Sequence, residues 1–244
     1  MLYMNSTLMG MGNSLFKHAP LIYRPLYSVY KAISDRPELR ILREHILPGM
    51  TVVDIGANIG EYSRRFSGMV GAEGRVIAFE PEQRNFELLQ DLAKSKTNVE
   101  AFNSAIGSSV GQLKLYLSDS LNVDHHTYDD GEGRDFRMIP VLTLDEFFSS
   151  RPPPDFIKMD IQGYEYEALK GAKEIMSSSQ APMLLFEYWP FGLERAGCNP
   201  SDLIGMVCDF GYRVNIVGKD CQKNIADVIV DPDVYVNVFA TKHG

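Results

Sequence analysis

Short apolar runs along this chain alternate with longer segments in which apolar residues return every third or fourth position. Thr51–Ile55, Arg75–Glu80, Asn98–Asn103, Phe156–Asp160 and Met183–Glu187 are too brief for helices and predict strands. Between them, Glu61–Gly68, Pro81–Lys94, Glu165–Met176 and Pro200–Phe210 carry helical spacing. Arg36–Ile46 does so ahead of the first strand, through Leu39, Leu42 and Ile46, and stops at Pro48-Gly49. This alternation predicts a parallel sheet with right-handed crossovers. Gln112–Leu117 and Met138–Leu144 alternate residue by residue instead and predict an added hairpin. Arg213–Val217 and Tyr235–Thr241 predict closing strands. The expectation is an α/β fold, Rossmann-like, with a seven-stranded, mostly parallel sheet flanked by helices, an inserted hairpin and an N-terminal helical extension.

Residues 1–46 are expected to form that extension or lid, and residues 47–244 the domain itself. Within the extension, Leu15–Ile33 interleaves apolar and aromatic residues with Lys17, His18, Arg24 and Lys31. One reading is an interfacial helix that touches a membrane or a lipid-linked substrate. The other, favoured because Pro20 and Pro25 interrupt the periodicity, is an aromatic-rich lid packed on the neighbouring core.

Composition removes several classes. A net charge of -8 argues against a nucleic-acid backbone as the main partner. Cys198, Cys208 and Cys221 lack zinc-site spacing, no metal site is expected, and the odd count suits reduced thiols in a cytoplasmic setting. No apolar stretch is long enough to span a bilayer.

The chemistry begins where the first strand ends. Asp54-Ile55-Gly56-Ala57-Asn58-Ile59-Gly60 is a strand running into a glycine-bearing turn before a helix, a loop that brings main-chain N–H groups close to a ligand. Glu80 closes the second strand, where a doubly wound sheet holds a ribose diol. A dinucleotide site would read Gly-x-Gly-x-x-Gly; here an acid precedes the first glycine and would repel a pyrophosphate. S-adenosylmethionine, cationic and phosphate-free, fits better than NAD. Asp160 and Glu187 end two further strands, so carboxylates collect at the sheet edge where ligands bind.

The chain resembles the FkbM family of class I S-adenosylmethionine-dependent methyltransferases. The resemblance is carried by Asp54–Gly60, Ala78-Phe79-Glu80-Pro81, Ser104-Ala105-Ile106-Gly107, and above all Ile157-Lys158-Met159-Asp160-Ile161-Gln162-Gly163-Tyr164-Glu165 with Ala168-Leu169-Lys170-Gly171-Ala172. It spans roughly residues 40 to 240. It implies a class I methyltransferase fold in which Gly56, Asn58 and Gly60 line the methionine end of the cofactor, Glu80 takes the ribose hydroxyls, Ser104 and Ala105 lie beside adenine, and Asp160 lies near the sulfonium. Members usually carry Asp-Val-Glu-Gly where this chain has Asp160-Ile161-Gln162-Gly163, so a charge at the third position is missing. Glu165 is a stand-in for it or a helix cap.

The resemblance further implies O-methylation of a small-molecule or carbohydrate-like acceptor. An alcohol is a poor nucleophile, so a nearby base is useful. The candidates are Asp160, Glu187, and His125 and His126 in the long polar insertion Ser118–Arg137. A metal held by Asp160, Glu187 and a histidine is a lesser alternative. A methyltransferase fold that holds the cofactor without efficient transfer is the second functional reading, kept open by Gln162. Neither the acceptor nor the oligomeric state can be read from the sequence.

Overall fold

The computed structural model of the chain describes residues 20–117, 127–128, 131, 133–218 and 234–242. Two helices, α1 (Pro20–Ser34) and α2 (Arg36–His45), precede the sheet. There follow β1 (Thr51–Ile55), α3 (Glu61–Val70), β2 (Arg75–Phe79), α4 (Gln83–Ser95), β3 (Val99–Phe102) and a short β4 (Ala105–Ile106). The insertion contributes β5 (Gly111–Tyr116) and β6 (Phe136–Leu142), and then α5 (Leu144–Phe148) leads to β7 (Phe156–Met159). The chain ends through α6 (Glu165–Lys170), α7 (Lys173–Ser177), β8 (Met183–Tyr188), α8 (Pro190–Arg195), α9 (Pro200–Asp209), β9 (Arg213–Ile216) and β10 (Val236–Thr241).

Seven strands form the main sheet in the order β3-β2-β1-β7-β8-β10-β9. β3, β2, β1, β7 and β8 pair in parallel, while β10 runs antiparallel to both its neighbours. The central strands read as nearly unbroken apolar runs because helices cover both of their faces. Val52, Val53, Phe156, Ile157, Leu184 and Phe186 are fully buried. One core layer contains Val53, Ile157 and Phe186 with Ala168, Leu169 and Leu203 from α6 and α9. The opposite layer joins Val52, Phe156 and Phe239 to Phe66 of α3 and to Leu39 and Leu42 of α2. Burying each such large side chain contributes about 1.5–3 kcal/mol, so both layers are strongly favourable.

The hairpin expected in the insertion is present: β5 and β6 pair antiparallel, and β4 joins β6 in parallel to complete a separate three-stranded sheet. The single helix expected over Glu165–Met176 is two, broken at Gly171-Ala172. The cause is a backbone crossing, since a Cβ on Gly171 would overlap the Gly107 carbonyl oxygen. The interruption expected from the prolines of the extension is absent, because α1 starts at Pro20 and runs on through Pro25 to Ser34. Two short helices escaped periodicity. α5 has a capping signature, Thr143-x-x-Glu146, with the Thr143 hydroxyl accepting from the Glu146 N–H at 3.3 Å. α8 carries only Pro190 at its start as a signal.

Candidate active site

Parallel pairing brings the carboxyl ends of β1, β2, β7 and β8 to one edge, and there polar residues interrupt otherwise apolar strands. Asp54, Lys158, Glu187 and, just past β2, Glu80 are each nearly or fully buried. Asp54 and Lys158 are direct partners in the β1–β7 register, which is why they meet.

The loop after β1 is shaped by close approach. Gly56 has φ +77, and a side chain there would run into the carbonyl oxygen of Asp160. Its N–H and that of Ala57 donate to the Phe79 carbonyl at 3.0 Å, tying the loop to the end of β2. Asn58 (φ 51) and Gly60 (φ 83) are also left-handed, and Gly60 sits at the N-terminus of α3. Glu80 locks this turn, accepting from the Asn58 N–H at 2.8 Å through Oε2 and from the Glu82 N–H at 2.9 Å through Oε1. Burial pushes the Glu80 carboxyl up to about 7 despite these donors.

Asp160 follows β7 and is partly open, its side chain 35% exposed. Lys158 Nζ lies 3.5 Å from Asp160 Oδ2 and 3.8 Å from Asp54 Oδ1, with the Tyr62 ring 4.6 Å beneath it. Burial works to raise the Asp160 carboxyl, but the charges of Lys158 and Lys31 and the Gln162 amide outweigh it and hold the group below its ordinary range. Asp54 moves the other way: burial dominates and raises it, against Lys158 and a 2.6 Å bond from the Ser63 hydroxyl.

Gln162, itself left-handed at φ 56, explains the departure noted in the sequence. Its amide nitrogen donates to Asp160 Oδ1 at 3.2 Å and to Glu187 Oε2 at 3.1 Å. A glutamate there would put a third carboxylate between two, whereas an amide bridges them. Glu187 also accepts from the Tyr235 hydroxyl. Burial, then Asp160 and Glu165, push Glu187 well up, which favours its neutral form. Glu165 does not replace the missing charge. It accepts from the Ile161 N–H at 3.0 Å and closes the turn that leads into α6, whose N-cap position is Tyr164.

The expected residues therefore gather as follows. Asp54, Gly56, Asn58 and Asp160 line one cavity, with Tyr27 and Lys31 of α1 as part of its wall. Glu80 stands behind the loop through Asn58, and Gly60 behind it at the head of α3. Ser104 is buried beyond β3, its hydroxyl without a hydrogen-bond partner among the described residues, and Ala105 is buried in β4. Glu187 joins through Gln162. His125 and His126 lie outside the described residues. Sequence reasoning gave no role to Lys158, Tyr235, Lys31 or Tyr62. Lys158 had a signal, a lone cation in an apolar strand; Tyr235 had none.

Three carboxylates around a left-handed loop disfavour a phosphate and suit a cation. The orphaned Ser104 hydroxyl and the carboxylate of Glu80, whose oxygens each retain a lone pair, suit the heteroatoms of a nucleoside. The residues present thus fit S-adenosylmethionine. Among the described residues no three metal-ligating side chains are placed to hold an ion, and no helix is long and apolar enough to cross a membrane.

The family model for the methyltransferase FkbM domain matches residues 54–214. The hexuronic acid methyltransferase AglP of Haloferax volcanii is 26% identical over 148 residues, 59% of this chain and 59% of that protein. Protein-L-isoaspartate O-methyltransferase 1 of Arabidopsis thaliana is 33% identical over 81 residues, 33% of each chain. The chain spans at most 59% of the length of these curated relatives. Methyltransferase FkbM from Methylobacillus flagellatus KT shares the fold, with a TM-score of 0.53 at 19% identity, covering 99% of this chain and 63% of that one.

Proposed function

Because the chain belongs to the methyltransferase FkbM domain family, we propose that it is an S-adenosylmethionine-dependent O-methyltransferase whose acceptor is a hydroxyl of a carbohydrate-like molecule. The observation that carries this reading is the place of Asp160: a side chain 35% exposed that lines the cavity behind the Gly56 loop, beside Lys158 at 3.5 Å. A transferase acting on an alcohol needs a base there, because the hydroxyl proton must leave as the new O–C bond forms. When bound, the cofactor supplies a methyl group already activated on a sulfonium sulfur.

The chain's residues do the rest. Glu80 would hold the ribose diol, the backbone of Gly56–Gly60 the amino-acid end, and Ser104 the adenine. Asp160 accepts the acceptor's proton, and Gln162 fixes that carboxylate against the neutral Glu187–Tyr235 pair. A carbohydrate acceptor is supported by the likeness to a hexuronic acid methyltransferase. The test is labelled methyl transfer to uronic-acid-containing oligosaccharides, neutral oligosaccharides and an isoaspartyl peptide. Label is expected on the saccharides in alkali-stable ether linkage. Base-labile label on the peptide alone would replace the reading with carboxyl methylation.

α1 acts as a lid in this scheme, while α2 belongs to the core through Leu39 and Leu42. The cavity holds about 30 Å³, room for one water-sized group, whereas small-molecule sites occupy about 300–1,000 Å³. α1 closes it through polar contacts: the Ser28 hydroxyl donates to Glu61 at 2.9 Å and accepts from Arg64 at 3.0 Å, and Arg65 donates to the Ser28 carbonyl at 3.2 Å. Opening these contacts exposes little apolar surface, chiefly that of Tyr27 against Ile59. Ser28→Ala, losing about 1 kcal/mol of closed-state contact, is expected to speed cofactor association roughly fivefold in stopped-flow measurements. An unchanged rate would assign α1 a static role.

A further inference from the structure

α1 is amphipathic with its polar side turned inward. Tyr27, Ser28 and Lys31 face the cofactor loop and the head of α3, where Lys31 pairs with Asp35 at 2.7 Å and stands 5.4 Å over the Tyr62 ring. Leu26, Val29, Tyr30 and Ile33, spaced by three and four residues, form the opposite stripe and are 57%, 60%, 41% and 59% exposed. A soluble domain ordinarily turns such a stripe into its core. Here the core-facing side is already satisfied by hydrogen bonds and ion pairs, so the apolar side is left for something outside the chain.

Charge indicates what that is. Residues 1–34 contain no Asp or Glu and include Lys17, Arg24 and Lys31, in a chain of net charge -8. Arg36 and Arg40 follow the stripe and are exposed, Arg40 in an exposed pair with Glu44 at 2.8 Å that solvent screening leaves weak. A second copy docked stripe to stripe would bring the same basic segment against this one and would approach against repulsion. An anionic lipid surface is attracted by the basic segment and accepts the apolar stripe. A helix lying in the interface needs only this one-sided pattern, not the length of a spanning segment.

We infer that α1 docks on an anionic phospholipid bilayer through Leu26, Val29, Tyr30 and Ile33, with Arg36 and Arg40 at the headgroups, so that the cavity behind its polar face opens at a membrane surface. The inference concerns the surface of α1 and stands whether or not the acceptor is a saccharide.

The experiment is co-sedimentation of the full chain with vesicles of phosphatidylcholine alone or with one-third phosphatidylglycerol, at low and high salt. Binding is expected at least tenfold stronger to the anionic vesicles, weakened by salt, and reduced at least tenfold by Leu26→Glu with Val29→Glu. Arg36→Glu with Arg40→Glu leaves the stripe intact and is expected to remove most of the preference for anionic lipid. Circular dichroism and cofactor calorimetry on each variant check that the domain is folded. Equal binding to both vesicle types, or none, overturns the inference. So does a dimer in light scattering that Leu26→Glu with Val29→Glu dissociates, because the stripe would then belong to a second copy.

Discussion

Asp160→Asn is expected to lower kcat by about 10²–10⁴, the range for loss of a positioned base, while the cofactor dissociation constant moves by less than about tenfold. Asparagine keeps the shape and still receives the Gln162 amide, but it cannot take a proton. The pH profile separates this role from simple positioning. Asp160 is held below the ordinary carboxylate range by Lys158 and Lys31 against the pull of burial. Its contribution to turnover should therefore persist to pH values below those at which free carboxylates protonate. Glu187→Gln is the companion variant. Glu187 is buried and pushed well up, so its neutral form already resembles glutamine and kcat should fall only a few-fold. Near wild-type turnover in Asp160→Asn, with a large loss in Glu187→Gln, would transfer the role of base to Glu187.

The strand–loop–helix around Gly56 was legible because its cause is local: an apolar run, a turn only glycine can make, and a helix with Phe66 and Val70 on one face. The same holds for the hairpin of the insertion, where period-two alternation survives in β5 and β6. The Glu165–Met176 break was not legible. It depends on Gly107 reaching Gly171 across the fold, and no window of the sequence contains both. The orientation of α1 was equally hidden. Its amphipathic pattern was visible, but only the contacts of Ser28, Lys31 and Asp35 reveal that the polar side faces inward.

The candidate site divides along the same line. Asp54, Glu80, Asp160 and Glu187 could be named because each ends a strand, and parallel strands send those ends to one edge. What the carboxylates do to one another could not be read. Lys158 becomes their shared counter-ion only through the β1–β7 register, and Gln162 becomes their bridge only because its left-handed backbone turns the amide toward both. Tyr235 reaches Glu187 from the far end of the chain, on the lead-in to the antiparallel β10. The Gln162 departure looked like a lost charge. In three dimensions its amide ties two carboxyl groups together.

Glu80→Gln is expected to weaken cofactor binding about a hundredfold and to leave kcat at saturation within a few-fold. A carboxylate accepting two ribose hydroxyls makes charge-assisted bonds worth about 1.5–3 kcal/mol each, and glutamine retains one acceptor oxygen at most. Calorimetry across pH provides the sharper check. Burial holds the Glu80 carboxyl at about 7, so below that pH the free protein carries a proton where the diol must donate. Wild-type affinity should fall about tenfold per pH unit below 7 and level off above it, and Glu80→Gln should be flat throughout. Fold stability responds with the opposite sign. A carboxyl raised from 4.5 to about 7 on folding binds more protons in the native state, so its contribution is full below the unfolded value and is lost as pH rises through 7. The span corresponds to about 3 kcal/mol. Glu165, also pushed up to about 7 by burial, adds to that stability slope but has no part in the affinity slope. Glu80→Gln should therefore abolish the pH dependence of binding while reducing that of stability only in part. A variant that loses neither would remove Glu80 from the ribose site.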